Sequence, residues 1–184
     1  VKFFDWLKEL LKEENPDALI VSGDVFDTYS PPNVSQEIYF SLLGDIIRNK
    51  LCRNVIVIGG NHDSATLLDS PDKILAQLGI KVIGAANISK EAVIINDKEG
   101  NPGLAIGAVP YLRDADIRSS EAVESYTEIA QKLRNGLKKH YEDIVANLKK
   151  LSDKKLPLVL TGHFFMSKAK LSDDSSERTR TIGN

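Results

Sequence analysis

The stretch from Val55 to Asp63 reads VIVIGGNHD, and it decides the fold of the chain. Four branched apolar residues are followed by two glycines, and then by an amide, an imidazole and a carboxylate. A short apolar run without alternation is typical of a strand that is buried on both faces. Glycine allows the backbone to turn sharply and allows a ligand to approach closely. The stretch therefore predicts a buried strand, a corner and a group of site residues.

Two other apolar runs end in a similar way. Ala18 to Val21 is followed by Ser22-Gly23-Asp24, and Leu158 to Leu160 is followed by Thr161-Gly162-His163. In open α/β sheets, ligands bind in the crevice beyond the carboxyl ends of the strands. If the three strands are parallel neighbours, their loops meet at one edge of the sheet.

The elements around these runs predict an α/β fold. Helical patterns before Pro16, over 35–48 and after Pro71 alternate with the apolar runs, which favours a parallel sheet with right-handed crossovers. The turn-rich segment NDKEGNPG at 96–103 separates two strand-like runs and indicates a hairpin in a second sheet. A long helix is expected over 125–151. We therefore predict helices flanking two mixed sheets, followed by a polar, flexible tail over 172–184.

Composition and charge restrict the classes of function. The formal net charge of -2 gives no overall attraction to nucleic acid or to an anionic membrane, so a polyanionic substrate must be held locally. Cys52 is the only cysteine, which excludes a disulfide framework and favours a cytoplasmic location. No apolar stretch approaches the roughly 20 residues of a membrane span, so no membrane association is expected.

The residue types at the three strand ends indicate a metal site. Carboxylate, amide oxygen and imidazole together suit manganese, iron or zinc. Asp24 is the natural bridging ligand, because a carboxylate has enough lone pairs for two ions. Two ions about 3.5–4 Å apart form a clamp for in-line displacement at phosphorus.

The motifs GDVFD at 23–27, GNHD at 60–63 and GH at 162–163 resemble, in this order, those of the calcineurin-like metallophosphoesterases. The wider stretches DALIVSGDVFD, NVIVIGGNHDS and AVPYLR are similar to one DNA-nuclease branch of that family, and the resemblance covers nearly the whole chain. It implies a layered α/β sandwich with two divalent metal ions, with manganese as the expected metal. Asp24 would bridge the two ions, and Asn61 and His163 would both bind the second one.

The resemblance also implies roles for the remaining polar residues. His62 would be catalytic and not a ligand, since it would stabilise charge on the scissile phosphate and protonate the leaving oxygen. Asp63 would orient His62 from outside the metal shell, and Asp27 would support the site less directly.

The function implied by the resemblance is cleavage of phosphodiester bonds in DNA, as an exonuclease and endonuclease in DNA repair, recombination and replication. The implied partners are DNA, an ATPase subunit, and a second copy of the chain within a heterotetramer, paired through helices at 35–48 and 66–78. The chain contains no Gly-Lys-Ser/Thr phosphate loop, which agrees with ATP being used by the partner alone.

The chain departs from the family pattern at both ends. The family begins with Asp-x-His on its first strand, and the sequence from Val1 to Asn184 contains no such motif. The family also closes its site with Gly-His-x-His, whereas the sequence at Gly162 reads GHFF. We therefore expect an incomplete metallophosphoesterase domain over 1–184 whose first metal lacks most of its ligands and whose activity is impaired.

Other interpretations remain open from the sequence alone. The substrate could be a small phosphomonoester or a cyclic nucleotide, or the chain could be a binding lobe without turnover. Asp24 and Asn61 could be turn residues, and His163 could be structural. His140 is interpreted as a solvated helical residue. Four cations after the His163 loop are candidates for phosphate contacts: Lys168, Lys170, Arg178 and Arg180.

Overall fold

The structure is a computed structural model that describes residues 2–97, 99–119, 124–151 and 155–164. The predicted tail at 172–184 and the four cations after the His163 loop lie outside these residues. The helices are α1 (Lys2–Glu14), α2 (Asn33–Arg48), α3 (Ala65–Asp69), α4 (Asp72–Gln77), α5 (Ile88–Glu91), α6 (Asp114–Ile117) and α7 (Tyr126–Leu151). The strands are β1 (Ala18–Ser22), β2 (Asn54–Ile58), β3 (Ile80–Ile83), β4 (Ala92–Asn96), β5 (Pro102–Ala108) and β6 (Leu158–Thr161).

The strands form two sheets, as predicted. In the first sheet β2 lies between β1 and β3, and both pairings are parallel. In the second sheet β5 lies between β4 and β6, with β4 antiparallel and β6 parallel to it. Within the described residues only the second sheet is mixed, whereas the sequence predicts two mixed sheets.

The three site strands are not all neighbours in one sheet, so their loops meet in another way than the one considered from the sequence. Strands β1 and β2 are neighbours, but β6 pairs with β5 in the second sheet, with Ala105 opposite Leu158. The β6 loop nevertheless reaches the ends of β1 and β2, because the two sheets pack face to face. The site therefore lies at the shared rim of two sheets.

Strand β2 shows why its apolar run is continuous. Val55 and Val57 belong to the cluster between the first sheet and helices α1 to α4. Ile56 and Ile58 point to the opposite face, as alternate strand residues must, and pack with Ile106 of the second sheet. These four residues of β2 are at most 1% exposed. The strand is buried on both faces, as the sequence predicts.

Helix α7 covers the outer face of the second sheet. Ile144, which is fully buried, and Leu148 pack against Ala92, Ala105 and Val109. The resulting layers are helix, sheet, sheet and helix, which confirms the predicted sandwich. No helix within the described part of the chain is long and apolar enough to span a membrane.

The interpretation of His140 as a solvated residue is wrong. Its Nε2 atom lies 2.6 Å from Oε2 of Glu91, a carboxylate that is fully buried between α5 and α7. Burial raises the pKa of Glu91, while the hydrogen bond with His140 opposes that change. The pair therefore attaches α7 to α5, which helical periodicity alone does not reveal.

Candidate metal centre

The site begins at a sharp corner after β1. Gly23 has φ 93° and Asp24 has φ 49°, so two successive residues adopt left-handed backbone conformations. Asp adopts this conformation more readily than most residues, because its short polar side chain can bond locally. The Asp24 carboxylate accepts a hydrogen bond from the backbone N–H of His62 at 3.2 Å. The corner thus directs a carboxylate onto the loop that follows β2.

Two glycines allow the loops to come this close. A Cβ atom added at Gly60 would collide with the carboxyl group and backbone nitrogen of Asp24. A Cβ atom added at Gly23 would collide with the imidazole of His163. These glycines of the GD and GNHD motifs therefore make room for side chains from other loops.

His163 connects the β6 loop to both other loops. Its Nδ1–H donates to the backbone carbonyl of Ser22 at 2.9 Å, because a carbonyl oxygen can only accept. In the neutral ring, the lone pair is therefore on Nε2. That atom lies 2.9 Å from Oδ1 of Asn61 and 3.4 Å from Oδ2 of Asp24. Three electron-pair donors face one another, and a cation placed between them would satisfy all three.

This donor set fits a divalent metal ion. One carboxylate oxygen, one amide oxygen and one imidazole nitrogen match the preferences of manganese, iron and zinc. Among the described residues, no group of three or more His, Cys, Asp or Glu side chains could hold a metal. The third donor is instead the Asn61 amide. The described residues thus offer donor atoms that could hold one ion, with Asp24 placed so that it could share a second.

Comparison with known proteins identifies the family. The family model described as calcineurin-like phosphoesterase matches residues 2–181. The chain belongs to the calcineurin-like phosphoesterase family. Membership of this family of metallophosphoesterases implies divalent metal ions at the site.

Several curated relatives of this phosphoesterase are components of the nuclease SbcCD. The SbcD component of Escherichia coli strain K12 is 34% identical over 172 residues, which cover 93% of this chain and 42% of that protein. The SbcD component of Rhodobacter capsulatus is 31% identical over 118 residues, covering 60% and 29% respectively. The protein of the same name from Bacillus subtilis is 31% identical over 111 residues, covering 60% and 28%. The chain spans less than half the length of these relatives.

Asp63 is buried between two of the loops of this phosphoesterase site. The residue is 2% exposed, and its carboxylate accepts hydrogen bonds from three backbone N–H groups: Gly60 at 2.8 Å, Val25 at 3.0 Å and Phe26 at 2.8 Å. Both oxygens are therefore used to join the β1 loop to the β2 loop. That Asp63 orients His62 stays a prediction, and these hydrogen bonds show in addition that Asp63 holds the two loops together.

Asp27 is the carboxylate that faces His62. Its Oδ1 lies 3.9 Å from Nδ1 of His62, and its side chain is 89% exposed. The His62 side chain is 36% exposed, so its ring is accessible at the rim of the site. The catalytic role of His62 stays a prediction, and the residue placed to influence its ring is Asp27.

Tyr111 is a site neighbour that the sequence reasoning did not assign. Its backbone N–H donates to the carbonyl of Gly59 at 2.8 Å, which ties the segment after β5 to the β2 corner. Its ring meets His163 edge to face, with centroids 6.4 Å apart and planes at 77°. The signal for Tyr111 is its presence in the AVPYLR stretch, but this stretch does not show which residue it contacts.

Proposed function

We propose that this chain is part of a metal-dependent nuclease that hydrolyses phosphodiester bonds in DNA. The observation that carries the proposal is the convergence of Asp24, Asn61 and His163 from three loops onto one point. Membership of the phosphoesterase family supports the reaction class, and the nuclease relatives support DNA as the substrate.

The residues divide into ligands and proton carriers. When bound, divalent ions polarise phosphoryl oxygens and lower the pKa of water, and manganese is the expected metal. Asp24, Asn61 and Nε2 of His163 would hold the ions and so place the scissile phosphate at the rim. His62 would neutralise charge on that phosphate and deliver a proton to the leaving oxygen. Asp27, whose Oδ1 lies 3.9 Å from Nδ1 of His62, would help to orient the ring of His62.

The proposed partners are DNA and an ATPase of the SbcC type, with ATP used only by that ATPase. We also propose a homodimer within a heterotetramer, through α2 and the segment 66–78. Exposed apolar side chains on these elements support this surface, because apolar patches often mark interfaces. They are Val34, Ile38, Phe40, Ile74 and Leu78. DNA repair, recombination and replication are the proposed processes, in the cytoplasm.

The reaction can be tested with two substrates. The full-length protein that contains this chain is incubated with Mn²⁺ and linear duplex DNA, and separately with p-nitrophenyl phosphate. We expect DNA cleavage that is lost in Asp24→Asn and retained in Asp17→Asn, a matched change at an exposed carboxylate outside the site. Monoester turnover without DNA cleavage would replace the nuclease proposal with a small-molecule phosphatase. DNA binding without turnover of either substrate would identify a binding lobe.

A further inference from the structure

A cavity of about 240 Å³ lies directly beside the candidate metal centre, between α6, α7 and the loop after β6. His163 belongs to both, because it lines the cavity and also faces Asp24 and Asn61. The other lining residues are Pro110, Leu112, Asp114, Ile117, Leu133, Arg134, Leu137 and Phe164. A group bound in this cavity would therefore be adjacent to a phosphate at the metal centre.

The lining combines apolar walls with one aromatic ring and one cation. Ile117, Leu133 and Leu137 are half-buried, whereas Phe164 is 43% exposed and Arg134 is also exposed. Among the described carboxylates, none pairs with Arg134, and the lining Asp114 pairs with Arg118, outside the lining. A flat, apolar ligand attached to an anion would satisfy this combination, since Arg and Phe both stack on π faces.

Aromatic contacts hold the rings of Phe164 and His163 in the cavity lining in place. The Tyr141 ring packs against Phe164 with centroids 6.1 Å apart, and its O–H donates to the Thr161 carbonyl at 3.0 Å. The Tyr111 ring packs against His163 in the same edge-to-face manner. Side chains that are ordered before a ligand arrives lose less entropy on binding, so this arrangement favours binding.

We propose that this cavity receives one unpaired base of the DNA strand whose phosphate lies at the metal centre. The inference rests on the proposed nuclease function and extends it to the form of the substrate. The volume is below the range of about 300–1,000 Å³ for sites of drug-sized ligands, which suits one base and not two. A base must leave the duplex to enter such a pocket, so a strand end or a single-stranded segment is the favoured substrate. Stacking does not require a particular base, so weak sequence preference is expected.

The proposal can be tested by binding in EDTA, without turnover. The probes are a short single-stranded oligonucleotide containing 2-aminopurine and a matched oligonucleotide with an abasic site at the same position. Wild-type protein should quench the 2-aminopurine fluorescence and bind the abasic probe more weakly. Phe164→Ala should lower affinity for the base-containing probe by about 5- to 150-fold, the usual range for loss of one stacking side chain, and leave the abasic probe nearly unchanged. Tyr126→Ala removes a 90% exposed aromatic residue of α7 outside the cavity and should change neither affinity.

A second variant separates loss of the pocket from loss of folding. Leu133→Trp would fill the cavity without removing Phe164, and should also abolish the preference for the base-containing probe. Equal binding of both probes by wild-type protein, or an equal effect of Phe164→Ala on both, would overturn the proposal. Cleavage of linear duplex DNA with Mn²⁺ by the full-length wild-type protein is measured separately. If duplex DNA is cleaved but binding does not depend on the base, the base-binding role of the cavity is refuted and the nuclease proposal stands. If duplex DNA is not cleaved, the nuclease proposal is refuted.

Discussion

Replacing Asp63 by Asn tests whether this residue holds the two site loops together. The native carboxylate accepts two N–H groups at Oδ2, from Gly60 and Val25, and one at Oδ1, from Phe26. The amide of Asn has only one oxygen, so at least one N–H group would face an NH₂ group. A hydrogen bond to a charged group contributes about 1.5–3 kcal/mol, so we expect Asp63→Asn to lower the free energy of unfolding by about that amount.

Asp63→Ala should have a larger effect. It would leave three buried N–H groups without an acceptor, and each such group costs about 1–3 kcal/mol. We therefore expect a loss of about 3–5 kcal/mol in the free energy of unfolding, at the upper end of the range for single substitutions.

Urea unfolding measures the effect of Asp63→Asn. With a slope of about 2 kcal/mol/M in urea, this variant should lower the unfolding midpoint by about 0.75–1.5 M.

Asp27→Asn is the matched control, since the chemical change is the same at a carboxylate that is 89% exposed. Its effect on the free energy of unfolding should stay within about 0.5 kcal/mol, as is usual for surface substitutions. Because Asp27 faces His62, this variant should instead lower the rate of DNA cleavage. Equal urea midpoints for wild-type protein and Asp63→Asn, or an equal shift for Asp27→Asn, would refute the assignment of roles.

Three further predictions concern the site and its support. Gly60→Ala would displace the Asp24 carboxylate and should abolish Mn²⁺ binding in calorimetry, whereas Gly103→Ala, whose Cβ would make ordinary contacts no closer than 3.5 Å, should not. Burial raises the pKa of Tyr141 from 10.0 to about 12, so the unfolded chain releases this proton first and stability falls as pH rises above 10. Tyr141→Phe should reduce that alkaline loss in urea titrations between pH 9 and pH 12, and an unchanged pH dependence would contradict it. Ile144→Ala, at a fully buried position, should lower the free energy of unfolding by about 2–5 kcal/mol, and a loss below 1 kcal/mol would show that α7 is not firmly packed.

Local patterns were sufficient to predict the strands and the candidate ligands. The run from Val55 to Ile58 is buried on both faces because its alternate residues serve two different clusters, and four successive apolar residues signal this directly. Gly23 and Gly60, which follow β1 and β2, are needed because side chains from other loops approach their backbone closely. A glycine in the sequence can indicate such a close approach. Asp24, Asn61 and His163 were therefore identifiable, although their common position depends on the packing of two sheets.

Features that depend on distant contacts could not be predicted in the same way. The pairing of β6 with β5 involves segments about 50 residues apart, and its short apolar run fits either sheet equally well. Asp27 and Asp63 are both carboxylates close to His62, and only the direction of the backbone after each corner decides which one meets backbone N–H groups. His140 follows helical periodicity as a surface residue, but Glu91 from α5 covers it.

Calorimetric titration with Mn²⁺ tests the central claim most directly, because it measures the metal site without requiring turnover. We predict that wild-type protein binds Mn²⁺ and that Asn61→Ala and His163→Ala each weaken binding by at least about 10-fold, the minimum expected when even a supporting group of a metal site is lost. Asp17→Asn should bind Mn²⁺ as wild-type protein does. Equal Mn²⁺ affinity in the wild-type protein and in both site variants would contradict the claim that three loops form one metal centre.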